Sequence, residues 1–163
     1  MSIKLRAEES QRTIDTLRAQ GFTLATEFEG INPDMPSDIT DLDDLGVMRL
    51  WQEYNAFLAF VAAQMTCAQI DENNAKKRME YSEALAMEDY TQPKMTVSAI
   101  KAQIMADPKV EKLATAYSQA HDYRKGIEMM YTNVKMDCDF ISRELTRRTS
   151  NGFSRANKFT TEE

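Results

Sequence analysis

Two stretches of this chain carry apolar residues at a spacing that alternates three and four. In the first, Val47, Trp51, Tyr54, Leu58, Val61, Met65 and Ala68 keep that spacing, and Glu72, Ala75, Met79, Ser82 and Ala86 continue it. In the second, it runs through Val110, Leu113, Tyr117, Ala120, Arg124, Ile127, Tyr131, Val134, Cys138, Ile141 and Leu145, with Arg124 the one strongly polar member. A repeat of 3.5 residues puts one stripe of a helix against a partner helix. The pattern therefore predicts two long helices, each about 60 Å at 1.5 Å per residue. Phe57 and Phe60 widen the apolar face early in the first helix, whereas its later seam shrinks to Ala and Ser and lets a partner come closer.

The punctuation agrees with this reading. The first long helix is expected to begin near Asp38 to Asp44, where acids complement the positive end of the helix dipole. It is expected to end at Thr91-Gln92-Pro93, because Pro93 cannot donate a backbone bond and disfavours helical geometry at Gln92. Thr96 can cap a short helix from Val97 to Met105. Asp107-Pro108 then restarts the chain with Asp as N-cap and Pro in the first turn. Asn151-Gly152 is the expected close. Before these helices, Ile3, Leu5, Ile14 and Leu17 give weaker amphipathic order to residues 3–20, with Gly21 as a stop. Residues 21–37, with Gly30, Pro33 and Pro36, read as an acidic linker. The expected organisation is an N-terminal helix and linker (1–37), a helical hairpin domain (38–150) and a basic C-terminal tail (151–163). The fold class is all-α: a long antiparallel, coiled-coil-like hairpin with a short N-terminal helix. A hairpin has little interior, so its aromatic and Met-rich flanks call for further helices or other copies of the chain, and a homo-oligomer is expected.

Composition narrows the function. Ala, Met, Glu, Lys, Gln and Leu dominate, and the chain holds only five Gly and four Pro. No run of apolar residues approaches a membrane span, and the start MSIKLRAEES shows no secretory signal. Two cysteines without zinc spacing, Cys67 and Cys138, and a single histidine, His121, suggest free buried thiols and neither metal nor cofactor. His121, beside the seam position Ala120, is expected to be a packed or partly exposed flank residue. No phosphate loop, nucleophile elbow or metal-binding histidine pair is present, so no enzyme activity is expected. The net charge is −6, but residues 27–44 hold seven acids and no base, so the rest of the chain sums to +1. That acidic window reads either as a solvated spacer or as a competitor for a basic surface.

Two basic clusters remain. Lys76, Lys77 and Arg78 sit midway along the first long helix. Arg143, Arg147, Arg148, Arg155 and Lys158 are interleaved with Phe153 and Phe159 at the chain's end. Cations with nearby aromatics suit single-stranded nucleic acid: charge tracks phosphates and rings stack on bases. The plainer alternative is a solvated helix face for the first and a dipole-complementing helix end for the second.

The segment Ala75-Lys76-Lys77-Arg78-Met79-Glu80-Tyr81 resembles a motif of the UvsY family of bacteriophage recombination mediators. Trp51 and Tyr54 resemble that family's aromatic helix start. Thr96-Val97 and Met105-Ala106-Asp107-Pro108-Lys109-Val110 resemble its connector into the final helix. The resemblance spans about residues 47–150. It implies a non-catalytic, ring-like homo-oligomer that binds single-stranded DNA and helps load a recombinase onto DNA covered by a single-strand-binding protein, in the cytoplasm of an infected bacterium. By position it implies that Lys76 and Arg78 contact DNA; Lys77 has no basic counterpart in the motif. The alternative is a structural or regulatory phage coiled-coil protein, a virion assembly factor or an inhibitor of a host system, acting through protein contacts alone.

Overall fold

The computed structural model describes residues 2–29, 32–90 and 95–159, with side chains described as far as Ser150. The chain is mostly helical, as expected for the all-α class, with one small strand pair in addition. In order come strand β1 (Ser2–Lys4), helix α1 (Gln11–Ala19), strand β2 (Glu27–Glu29), a 3-10 turn (Ile39–Asp41), and helices α2 (Asp44–Tyr90), α3 (Val97–Ala106) and α4 (Pro108–Phe159).

Capping chemistry sets the helix starts. Asp43 accepts the Gly46 N–H at 2.6 Å. A Cβ on Gly46 would lie 2.9 Å from that same carboxylate oxygen, so glycine leaves room for the cap. α2 begins at Asp44, inside the expected range Asp38 to Asp44, and Asp38 opens a separate turn by accepting the Thr40 N–H and hydroxyl at 2.8 and 2.6 Å. Thr96 accepts the Ala99 N–H at 3.3 Å, and Asp107 accepts the Lys109 N–H at 2.8 Å ahead of α4. Both caps are the expected ones. Gly21 has a φ of +88° and its N–H bonds the Arg18 carbonyl, which ends α1 as anticipated. The expected close of the last helix at Asn151-Gly152 is not observed, because α4 continues to Phe159. The expected stop at Thr91-Gln92-Pro93 lies outside the described residues, and α2 is described to Tyr90.

The chain divides into two compact units. The first comprises residues 1–5, 24–63 and 129–163. Here β1 and β2 pair antiparallel, with Ile3 opposite Phe28. Phe28 is buried, its ring 4.9 Å from Phe57 and 6.3 Å from Phe60. The Tyr54 hydroxyl donates to the Pro33 carbonyl at 3.0 Å. The wide aromatic flank of α2 is therefore covered in part by Phe28 and Pro33 of the same chain. Residues 21–37 are thus more than the expected linker: β2 lies within them, and Phe28, not a further helix, packs on Phe57 and Phe60. Val47, Tyr54 and Val61, seven residues apart, are buried, as are Val134 and Ile141 on α4. Trp51, read as a seam residue, is exposed beside Met48 on a groove it shares with Ser142, Leu145 and Thr149.

The second unit comprises residues 6–23 and 64–128. Tyr90 donates to Asp107 at 3.0 Å, while Glu72, further back on α2, meets His121 and Arg124, further on along α4. The order of these pairs makes the helices antiparallel within the unit. Ala86, Ile100, Ile104 and Val110 form an apolar cluster where α2, α3 and α4 meet. Along α2 the seam residues Ala68, Glu72, Ser82 and Ala86 are all buried, in the predicted register.

Candidate nucleic-acid interface

Ala75 and Met79 turn towards the seam of the second unit, which leaves Lys76, Lys77 and Arg78 exposed on α2. Lys76 lies 3.7 Å from Glu80, one turn on. Arg78 pairs with Glu9, from the segment that leads into α1. Lys77 has no ion-pair partner among the described residues. Tyr81, four residues beyond Lys77 and so on the same helix face, is 68% exposed. The sequence pattern places the stacking aromatics in the tail, at Phe153 and Phe159. Tyr81 is the exposed aromatic next to the first cluster.

The segment carrying Glu9 is held to α2 by polar bonds. The Asp71 carboxylate accepts the backbone N–H groups of Glu8, Glu9 and Ser10 at 3.4, 3.1 and 2.8 Å. The Ser10 side chain makes no cap for α1, but its own N–H, the first of the helix start, is taken by a carboxylate 61 residues away in sequence. The Gln64 side chain accepts from the Arg6 N–H at 2.7 Å and donates to the Arg6 carbonyl at 2.9 Å, as a neighbouring strand would. The Arg6 guanidinium lies 4.7 Å over the Tyr123 ring and bonds Glu8. Beneath the segment lie cavities of about 380 and 110 Å³, lined in part by Ala68, Ala75, Ala116 and Ala120.

Next along the unit is an ionic layer that sequence reasoning misses. Glu72 is 7% exposed. It bonds His121 Nδ1 at 2.7 Å and the Arg124 guanidinium, which also reaches Glu128 at 2.9 Å. Burial pushes the Glu72 carboxyl up, but the bonds from His121 and Arg124 outweigh it and hold it below the usual carboxylate range. The partly exposed His121 expected from the sequence is thus also a hydrogen-bond partner. The signal is present in the sequence: Glu72 and Arg124 are both polar residues at seam positions.

The second basic cluster behaves differently. Arg147 makes two bonds to Glu144 at 2.7 Å. Arg148 bonds Glu144 at 2.7 Å, the Leu42 and Ile39 carbonyls at 2.8 and 3.1 Å, and Asp44 at 3.1 Å. Hydrogen bonds from Arg147 and Arg148 hold the Glu144 carboxyl down to about 2. Arg148 is therefore a clamp on the backbone entering α2, with all three of its nitrogens bonded inside the first unit. Arg143 is exposed and has no ion-pair partner among the described residues. The side chains of Arg155 and Lys158 lie outside the described residues.

Cys67 and Cys138 are free and buried, and burial pushes both thiols up. Among the described residues no group of His, Cys, Asp or Glu is arranged to hold a metal ion, and no helix is long and apolar enough to cross a membrane. Comparison with protein-family models, curated proteins and solved structures gives no match to this chain.

Proposed function

We propose that this chain is a non-catalytic, single-stranded-DNA-binding recombination mediator that helps load a recombinase onto DNA covered by a single-strand-binding protein. The observation that carries the reading is the motif Lys76-Lys77-Arg78-Met79-Glu80-Tyr81. Its three cations and its tyrosine reach solvent from neighbouring turns of α2, while Met79 turns inward. Phosphates would meet the cations and a base would stack on Tyr81. The pairs Lys76–Glu80 and Arg78–Glu9 are exposed. Exposed pairs are worth roughly 0–1 kcal/mol, so a phosphate can replace the carboxylate at small cost.

A single motif offers few phosphate-binding groups, so useful affinity comes from repetition across a homo-oligomer. Met129, Met136 and Phe140 are exposed along α4 and supply apolar surface for self-association. The same reading implies a cytoplasmic location in an infected bacterium. One observation favours the alternative, a phage coiled-coil protein working through protein contacts. Arg78, Arg147 and Arg148 are each engaged by acids of the chain itself. The two readings separate by fluorescence anisotropy with labelled oligothymidylate over a salt series. Binding that weakens steeply with salt supports the mediator, and no binding at low salt refutes it.

A further inference from the structure

We propose that residues 6–10 form an autoinhibitory strap, in which the Glu9 carboxylate occupies Arg78 in the place a DNA phosphate would take. The inference rests on the DNA-binding reading above.

Three features of the second unit carry it. Glu9 is paired to the one arginine of the exposed motif. A carboxylate presents the same planar pair of acceptors to guanidinium that a phosphate does. The strap is fastened at both sides of Glu9, by Gln64 on the Arg6 backbone and by Asp71 on the amides of residues 8–10. The fastening is polar. Arg6, Glu8 and Glu9 of the strap themselves line the two cavities, with Asp71, Arg78 and several alanines, so this stretch does not fill the space against the helices. The acidic window 27–44, the competitor that the charge pattern suggests, does not include Glu9. A phosphate backbone arriving at Lys77 and Lys76 brings many charges to bear against one carboxylate, so DNA can displace the strap where a free anion cannot.

The test is a cycle of variants in oligothymidylate anisotropy: the full-length parent, Glu9→Gln, Arg78→Ala and the double variant, with Glu8→Gln as a control. Glu8 pairs with Arg6, not Arg78. Glu9→Gln is expected to tighten binding by about two- to fivefold, the range of an exposed ion pair. Glu9→Gln in the Arg78→Ala background, and Glu8→Gln alone, are expected to change affinity little. Hydrogen exchange at the amides of residues 8–10 is expected to speed up when oligothymidylate is added. If Arg78→Ala weakens binding but Glu9→Gln matches the parent, the strap is refuted and the DNA-binding reading stands. If Glu9→Gln tightens binding equally with or without Arg78, the effect is general charge repulsion and the strap is again refuted. If Arg78→Ala and the parent bind alike, the DNA-binding reading itself loses its motif.

Discussion

The Arg124 guanidinium bonds the carboxylate of Glu72, and both residues occupy seam positions, one on α4 and one on α2. His121 completes the layer from the next position to the Ala120 seam. A buried ion pair contributes little net stability, yet removing one partner leaves the other charge without compensation. Arg124→Leu should therefore lower the melting temperature by several degrees, and Glu72→Leu with Arg124→Leu should recover much of that loss. Thermal melts of the two variants check it. A double variant no better than the single would mean the two side chains act independently.

Acid should loosen the fold through two carboxylates. Glu72 lies below the usual range, and Glu144 is held down to about 2. A depressed folded-state pKa stabilises the fold above the unfolded value, about 4.3 for Glu. That contribution is lost as pH falls from there towards 2. Melting temperature should drop across this window, and Glu144→Gln should flatten the drop. A parent whose melting point is the same at both ends of the window would contradict the assignment.

Phe28 tests whether the N-terminal region belongs to the core. It packs on Phe57 and Phe60 in the first unit. Phe28→Ala should cost about 3–5 kcal/mol, as buried aromatic truncations do. Urea unfolding measures it directly. A change within experimental error would restore residues 21–37 to the status of a linker.

Val61 and Ile127 test the seam itself. Val61 is 2% exposed, whereas Ile127 is half-buried. Val61→Asp buries an unpaired charge and should cost on the order of 3 kcal/mol or more. Ile127→Asp should cost less, because its carboxylate can turn to water. Thermal melts that overlay the parent for both would show that the register is wrong.

The long-period features are legible in the sequence. Val47, Tyr54, Val61, Val134 and Ile141 fall in the core because a seven-residue repeat survives over many turns, and Thr96, Asp107 and Gly21 act within three or four residues of themselves. What the sequence hides is short or distant. A three-residue strand such as Glu27–Glu29 has no period to detect. Asp71 bonds the Ser10 amide at the start of a helix 61 residues away and Gln64 pairs with backbone at Arg6, so no local pattern betrays either. Glu72 and Arg124 are both visible as polar residues at seam positions, but they lie 52 positions apart and nothing local pairs them. At the candidate site, exposure of Lys76, Lys77 and Arg78 follows from their places between seam residues. The occupation of Arg148 by Glu144, Asp44 and two carbonyls does not, because it depends on how residues 39–44 fold back.

Under the proposed function, Lys76, Lys77 and Arg78 bind the phosphates of single-stranded DNA. Replacing all three with Ala should leave helix content unchanged, since each residue is exposed. The decisive measurement is oligothymidylate affinity over a salt series for this variant and the parent. Binding should weaken, and the plot of log affinity against log salt should flatten. The slope should fall by about 0.7 for each phosphate the variant no longer neutralises, or roughly 2 per engaged subunit. A triple variant with the parent's affinity and slope would contradict it.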